Sequence, residues 1–153
     1  MKNANVRRAT REDAATLVEF QLRLARESEE LELDRATVTR GVEAVFADAA
    51  KGCYWVAEEA GRIVGCLLTI PEWSDWRNAT VLWIHSVYVV PEARRRGVFR
   101  ELYLSLKQVV AGFPGLAGLR LYVNKQNRAA QEAYEALGMS REHYHLYEWL
   151  KDR

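Results

Sequence analysis

Charge of one sign is what this chain most plainly lacks: 22 lysines and arginines stand against 21 aspartates and glutamates, a formal net charge of +1 over 153 residues. Such a balance argues against a general nucleic-acid binder, whose footprint is usually broadly basic. Cysteine is scarce as well. Cys53 and Cys66 are the only two, each inside an apolar, strand-like stretch, so they read as small buried hydrophobes and not as a disulfide framework. His85, His143 and His145 are the only histidines, and no zinc-type ligand spacing joins them to the cysteines, so no metal is expected. No apolar run approaches membrane-spanning length. The opening Met-Lys-Asn-Ala-Asn-Val-Arg-Arg carries no signal-peptide core, which makes the cytoplasm the expected compartment and a membrane partner unexpected. Neither Gly-x-x-x-x-Gly-Lys-Ser/Thr nor Gly-x-Gly-x-x-Gly occurs, which disfavours nucleoside triphosphates and dinucleotides on those loops.

What remains is an ordinary globular composition, of a length that predicts one domain over residues 1–153 with a real core. A short strand is expected near residues 6–9. Thr10-Arg-Glu-Asp13 then resembles a capping box for a helix to about Ala25. Gln21 falls on the apolar face of that helix, where a polar side chain needs a partner or a ligand. An acidic bend follows over residues 27–34, with Glu30 at its middle, and a second helix over about 35–50. Residues 53–58 and 63–70 read as strands joined by the hairpin signal Glu59-Ala-Gly-Arg62, and Pro71 is expected to end the second. A loop containing Trp73 and Trp76 leads to a long strand over 80–90. This strand is apolar on both faces except at His85 and Ser86 and is therefore expected at the centre of its sheet. Strands at 119–123 and 143–150 and a helix from Asn127 to Leu137, closed by Gly138, complete the pattern.

One stretch carries chemistry. Residues 87–100 run Val-Tyr-Val-Val-Pro-Glu-Ala-Arg-Arg-Arg-Gly-Val-Phe-Arg, a strand end that passes through an arginine-glycine turn into a helix whose apolar residues begin at Val98 and Phe99. Gly97 then lies in the first turn, where backbone N–H groups have no intrahelical partner and the helix dipole is positive. That is a seat for a phosphate, and Arg94, Arg95, Arg96 and Arg100 add charge to it. The bland alternative is a solvated arginine cluster. Further along, Asn127-x-x-Ala130-x-x-x-Tyr134 ends at Gly138-Met139; by itself this is a capped amphipathic helix with a core tyrosine.

Together, at this spacing and in this order, the two patterns resemble the GNAT superfamily of acetyl-CoA-dependent N-acetyltransferases. The family's turn reads Gln/Arg-x-x-Gly-x-Gly/Ala, and its later helix reads Asn-x-x-Ala-x-x-x-Tyr followed by Gly-Phe. The match falls at Arg94, Gly97, Asn127, Ala130, Tyr134 and Gly138, with departures at Phe99 and Met139. The resemblance implies an α/β fold of the α+β mixed-sheet kind, with a mostly antiparallel twisted sheet of roughly six to seven strands and about four flanking helices. It implies acetyl-CoA as co-substrate, an amine as acceptor, and a homodimer as the oligomer common among relatives. Backbone groups of Val87 and Val89 would hold the pantetheine arm as an added strand does. Arg94, Arg95, Arg96, Gly97, Val98, Phe99 and Arg100 would form the pyrophosphate cradle, Asn127 would contact the pantetheine, and Tyr134 would stand near the sulfur.

Acetyl transfer to an amine needs a base, because an alkylamine is nearly all cationic at neutral pH. It also needs a donor for the tetrahedral oxyanion, such as the Val89 N–H, and a proton for the leaving thiolate, from Tyr134. No nucleophilic residue is required. Some family members place a glutamate in the strand before the Asn helix, but Leu121-Tyr-Val-Asn-Lys125 offers none. Glu72 and His85 lead the candidates for the base, ahead of Asp75 and Glu148, with a water chain as the alternative. Gln21, Glu30, Trp73 and Trp76 are the candidate acceptor contacts, the tryptophans through cation-π contact with a small cationic amine. Two other readings stay open: an acetyltransferase for protein N-termini or lysines, and an acyl-CoA-binding module without turnover.

Overall fold

The computed structural model describes residues 4–151. They fall into two compact units divided after Arg120. The first holds strand β1 (Asn5–Arg8), helices α1 (Ala14–Glu29) and α2 (Arg35–Ala47), strands β2 (Cys53–Glu59), β3 (Arg62–Ser74) and β4 (Ala79–Val89), helix α3 (Val98–Gly112) and strand β5 (Leu116–Arg120). The second holds helix α4 (Arg128–Ala136). No helix among the described residues is long and apolar enough to cross a membrane.

The five strands form one sheet in the order β1-β2-β3-β4-β5, antiparallel up to β4 and parallel between β4 and β5. The sheet is mixed, as expected, but it has five strands where six to seven were anticipated. Residues 143–150 form no strand: their side chains are exposed, and they enter no ladder with any described strand. Strand-favouring composition cannot act without a partner edge, because an isolated extended segment gains neither ladder bonds nor burial.

Local chemistry accounts for most boundaries. The β2–β3 turn has Ala60 and Gly61 at φ 50° and 77°, the left-handed pair that matches the twist of a two-residue hairpin. Helix α2 starts where Asp34 accepts from the Thr37 N–H at 2.9 Å. The expected Thr10 box is present, but it first winds one 3-10 turn, Arg11–Asp13, and α1 then runs to Glu29, beyond the anticipated Ala25. Pro71 does not end β3. The Val90 N–H donates to the Val64 carbonyl, so even-numbered β3 residues bond toward β4 and odd-numbered ones toward β2. The last β2 rung is Cys53↔Thr69, so the donor that Pro71 lacks points past the end of β2 and costs no ladder bond.

Register assigns the two faces. Ile70 pairs with Trp83, Leu68 with His85, and Cys66 with Tyr88, and this face is covered by α1 and α2, through Phe20 on Tyr88 at 5.0 Å and Phe46 on Tyr54 at 5.9 Å. The opposite face carries Gly65 and Val89 and receives Val98 of α3. Leu17, Leu67, Leu102 and Leu106 are fully buried between these layers. Cys66 is buried and Cys53 partly so; both are free, and burial pushes the Cys66 thiol up to about 12.

Candidate functional site: a helix start beside an open strand edge

Strand β4 is not central along its whole length. Its ladder with β5 covers only Thr80↔Leu116 to Trp83↔Arg120, and residues 84–89 pair with no described strand on that side. Apolarity on both faces reports burial from above and below and says nothing about the edges, which is why the sequence reading made this strand central. The register with β3 slips between Cys66 and Leu68, where Ser86 takes φ 55°, so β4 carries one extra residue. Because Val90 bonds inward to Val64, the N–H and C=O of Val89 point outward, to the open edge. Val89, with Val87, is the position whose backbone groups the resemblance assigns to the pantetheine arm.

Beyond Pro91–Ala93, a 3-10 turn, the backbone of the arginine-glycine turn twists through left-handed geometry at Arg95 (φ 64°) and Gly97 (φ 81°). Gly97 is the N-cap of α3, with no side-chain cap bond, and the first intrahelical bond runs from the Glu101 N–H to the Gly97 carbonyl. The N–H groups of Val98, Phe99 and Arg100 are thus the orphan donors of a helix start. Arg95 and Arg100 are exposed there. Arg96 reaches Glu59 at 2.8 Å. Arg94 is committed elsewhere, to the Val89 carbonyl and Glu27. Phe99, the departure from the small residue expected, is half-buried, its ring 6.2 Å from that of Tyr103 one turn along the helix.

Strand alternation separates the acceptor-side candidates. Glu72 and His85 share the face covered by α1 and α2, whereas Trp73 belongs to the other face. Trp73 and Trp76 are 63% and 91% exposed, with Trp76 in the turn before β4. Glu72 Oε1 accepts from Arg120 at 2.7 Å, an ion pair that reaches over β4. Burial holds His85 below its ordinary value of 6.5, and its ring lies 6.3 Å from Trp83. Gln21 Nε2 is buried and has no hydrogen-bond partner among the described residues. Glu30 is exposed and closes α1 at φ 53°. A separate cleft of about 490 Å³ on the α1 side is lined by Asp13, Glu19, Arg23, Glu58 and Arg62 among others. It includes none of the candidates; Arg7 braces its wall by bonding both Asp13 and Glu58 at 2.8 Å, and holds the Asp13 carboxyl below the usual range.

In the second unit, Asn127 Oδ1 accepts from the Ala130 N–H at 3.1 Å and so caps α4 as expected. Gly138 (φ 89°) ends it, with the Met139 N–H donating to the Tyr134 carbonyl. Tyr134 is half-buried, and burial pushes its phenol up.

The sequence reading missed Gly65, which admits Val98 and thereby seats the start of α3. A glycine inside an apolar strand was the available signal. Arg120, the partner of Glu72, gave none.

The model of the acetyltransferase (GNAT) family matches residues 17–139. This chain belongs to the GNAT family. A structure of an acetyltransferase candidate from Clostridium difficile 630 is similar to this GNAT chain over 99% of its length and 100% of that protein's, at 38% identity and a TM-score of 0.91. The uncharacterized N-acetyltransferase YhfO of Bacillus subtilis strain 168 is 32% identical over 83 residues, and the aligned stretch spans 54% of this chain and 55% of YhfO, about half of each. At 21% identity, a predicted acetyltransferase of Clostridium acetobutylicum, solved with acetyl-CoA, shares the fold over 98% of this GNAT chain and 96% of its own, with a TM-score of 0.71.

Proposed function

We propose that the protein transfers the acetyl group of acetyl-CoA directly to a primary amine, on a small cationic molecule, and that residues 1–153 act as one GNAT domain. The observation that carries this reading is the uncapped start of α3 beside the unpaired edge of β4. The first suits a pyrophosphate; the second suits the amides of a pantetheine arm. Family membership supports it, as does acetyl-CoA in the Clostridium acetobutylicum relative.

In this reading the amides of Val98, Phe99 and Arg100 hold the pyrophosphate, and Arg95, Arg96 and Arg100 neutralise it. Backbone groups of Val87 and Val89 align the arm. The acceptor nitrogen loses a proton to His85 and attacks the thioester carbonyl. The oxyanion is met by the Val89 N–H, and the C–S bond then breaks as the thiolate takes a proton from Tyr134. Tyr134 and Asn127 receive their roles from the resemblance. His85 is preferred to Glu72 because burial keeps its imidazole neutral, whereas the Glu72 carboxylate is already paired with Arg120. Gln21, with its unmatched buried amide, and Glu30, Trp73 and Trp76 are the proposed acceptor contacts.

The test is release of free thiol from acetyl-CoA across a panel of amines, peptides and lysine-bearing proteins. Turnover with small cationic amines supports the reading. Turnover with peptides alone moves it to the protein substrates, and binding of acetyl-CoA without thiol release leaves a binding module.

A further inference from the structure

Arg94 opens the turn that would cradle the pyrophosphate, yet its side chain turns away from it. Its Nε donates to the Val89 carbonyl at 2.9 Å. One terminal nitrogen faces both oxygens of Glu27, at 3.3 and 3.2 Å. The guanidinium carbon lies 5.5 Å from the centre of the Tyr88 ring, which itself packs on Phe20 of α1 at 5.0 Å. One edge of the planar group, one nitrogen and one face are therefore engaged, a use of the fork that a lysine cannot copy. The peptide between Val89 and Val90 is fixed from both ends, since its N–H donates to the Val64 carbonyl at 2.9 Å while its C=O accepts from Arg94.

We propose that Arg94 is a positioning residue and not a phosphate ligand: it sets the outward Val89 carbonyl at the open edge of β4 and ties that edge to the last turn of α1 through Glu27. The proposal rests on the acetyl-CoA reading. It makes cofactor affinity depend on Glu27, a residue of the opposite layer, and places the effect at the pantetheine end of the cofactor.

The two roles for Arg94 differ in which ligands Arg94→Met weakens and in the sign expected for Glu27→Gln. NMR titration of labelled protein with acetyl-CoA and with S-acetylpantetheine, which has no pyrophosphate, separates them. As a positioning residue, Arg94→Met weakens both ligands by the same factor, about tenfold for loss of a charge-assisted bond. Arg94→Lys does not restore them, and Glu27→Gln weakens both by about threefold, as an exposed ion pair allows. A loss confined to acetyl-CoA in Arg94→Met, or tighter acetyl-CoA binding in Glu27→Gln, overturns the proposal, because a phosphate ligand released from a competing carboxylate should bind better. The same samples give amide exchange at Val90. Should wild-type protein bind neither ligand, the acetyl-CoA reading fails separately, and the exchange decides: faster exchange in Arg94→Met supports the tie, and unchanged exchange removes it.

Discussion

A Cβ added to Gly65 would stand 2.8 Å from Cγ1 of Val98 and 3.3 Å from the Tyr88 carbonyl. The bare backbone of β3 thus meets the first residue of α3, so the height of the candidate phosphate seat above the sheet is set by a missing side chain. Val98 is β-branched and stiff and cannot swing aside without leaving its rotamer. Gly65→Ala should therefore lift the start of α3. We expect a stability loss of about 1–3 kcal/mol for overpacking and weaker acetyl-CoA binding, by calorimetry. Adding Val98→Ala should restore much of both; a double variant no better than Gly65→Ala would refute the contact as the cause.

His85 gives a pH signature. Burial holds its folded value below 6.5, so the unfolded chain binds the proton more readily. Stability from this group is then complete above the unfolded value and declines as pH falls through 6.5 toward the lower folded value. His85→Gln should flatten that part of the stability curve, read by denaturant unfolding at several pH values. If His85 is the base, the acid limb of kcat/KM lies below pH 6.5 in the wild type and is lost in the variant.

Burial raises the Tyr134 phenol above its ordinary 10.0, the direction that favours the protonated form a general acid needs. Tyr134→Phe should lower kcat by about a hundredfold, the scale of general acid catalysis, while the Kd for acetyl-CoA stays put. An unchanged kcat would remove the residue from the mechanism.

A buried polar pair in β2 and β3 offers a test of stability alone. The Trp55 indole N–H donates to Thr69 Oγ1 at 3.0 Å, and that hydroxyl donates to the Cys53 carbonyl at 3.3 Å. Thr69→Val keeps the shape and strands the indole N–H, at about 1–3 kcal/mol. Thr69→Ser should lose less. A Thr69→Val variant with the wild-type midpoint in urea would show that the hydroxyl contributes nothing.

Features written in neighbouring residues could be read in advance. The Ala60–Gly61 hairpin, the Asn127 cap and the glycine at the start of α3 depend on local backbone chemistry and appear where expected. Features that depend on a distant partner did not. A strand is expected at 119–123, but β5 forms at Leu116–Arg120, because the Thr80 N–H donates to the Gly115 carbonyl and brings the chain alongside β4 soon after α3. Residues 143–150 have the composition of a strand and no ladder. At the site, the helix start at Gly97 and the arginines beside it were legible in sequence, but the commitment of Arg94 was not, since Glu27 lies 67 positions away.

The extra residue in β4 works like a shift of reading frame. Before Ser86 the odd positions, Val81, Trp83 and His85, face α1 and α2; after it the even positions, Tyr88 and Val90, do. Polar His85 and the aromatic Tyr88 share a face only because the count is off by one. The same offset turns Val87 and Val89 toward the unpaired edge. Deleting a single residue here would not shorten the strand so much as recode it, exchanging the sheet face and the hydrogen-bonding side at every position from 87 to 90.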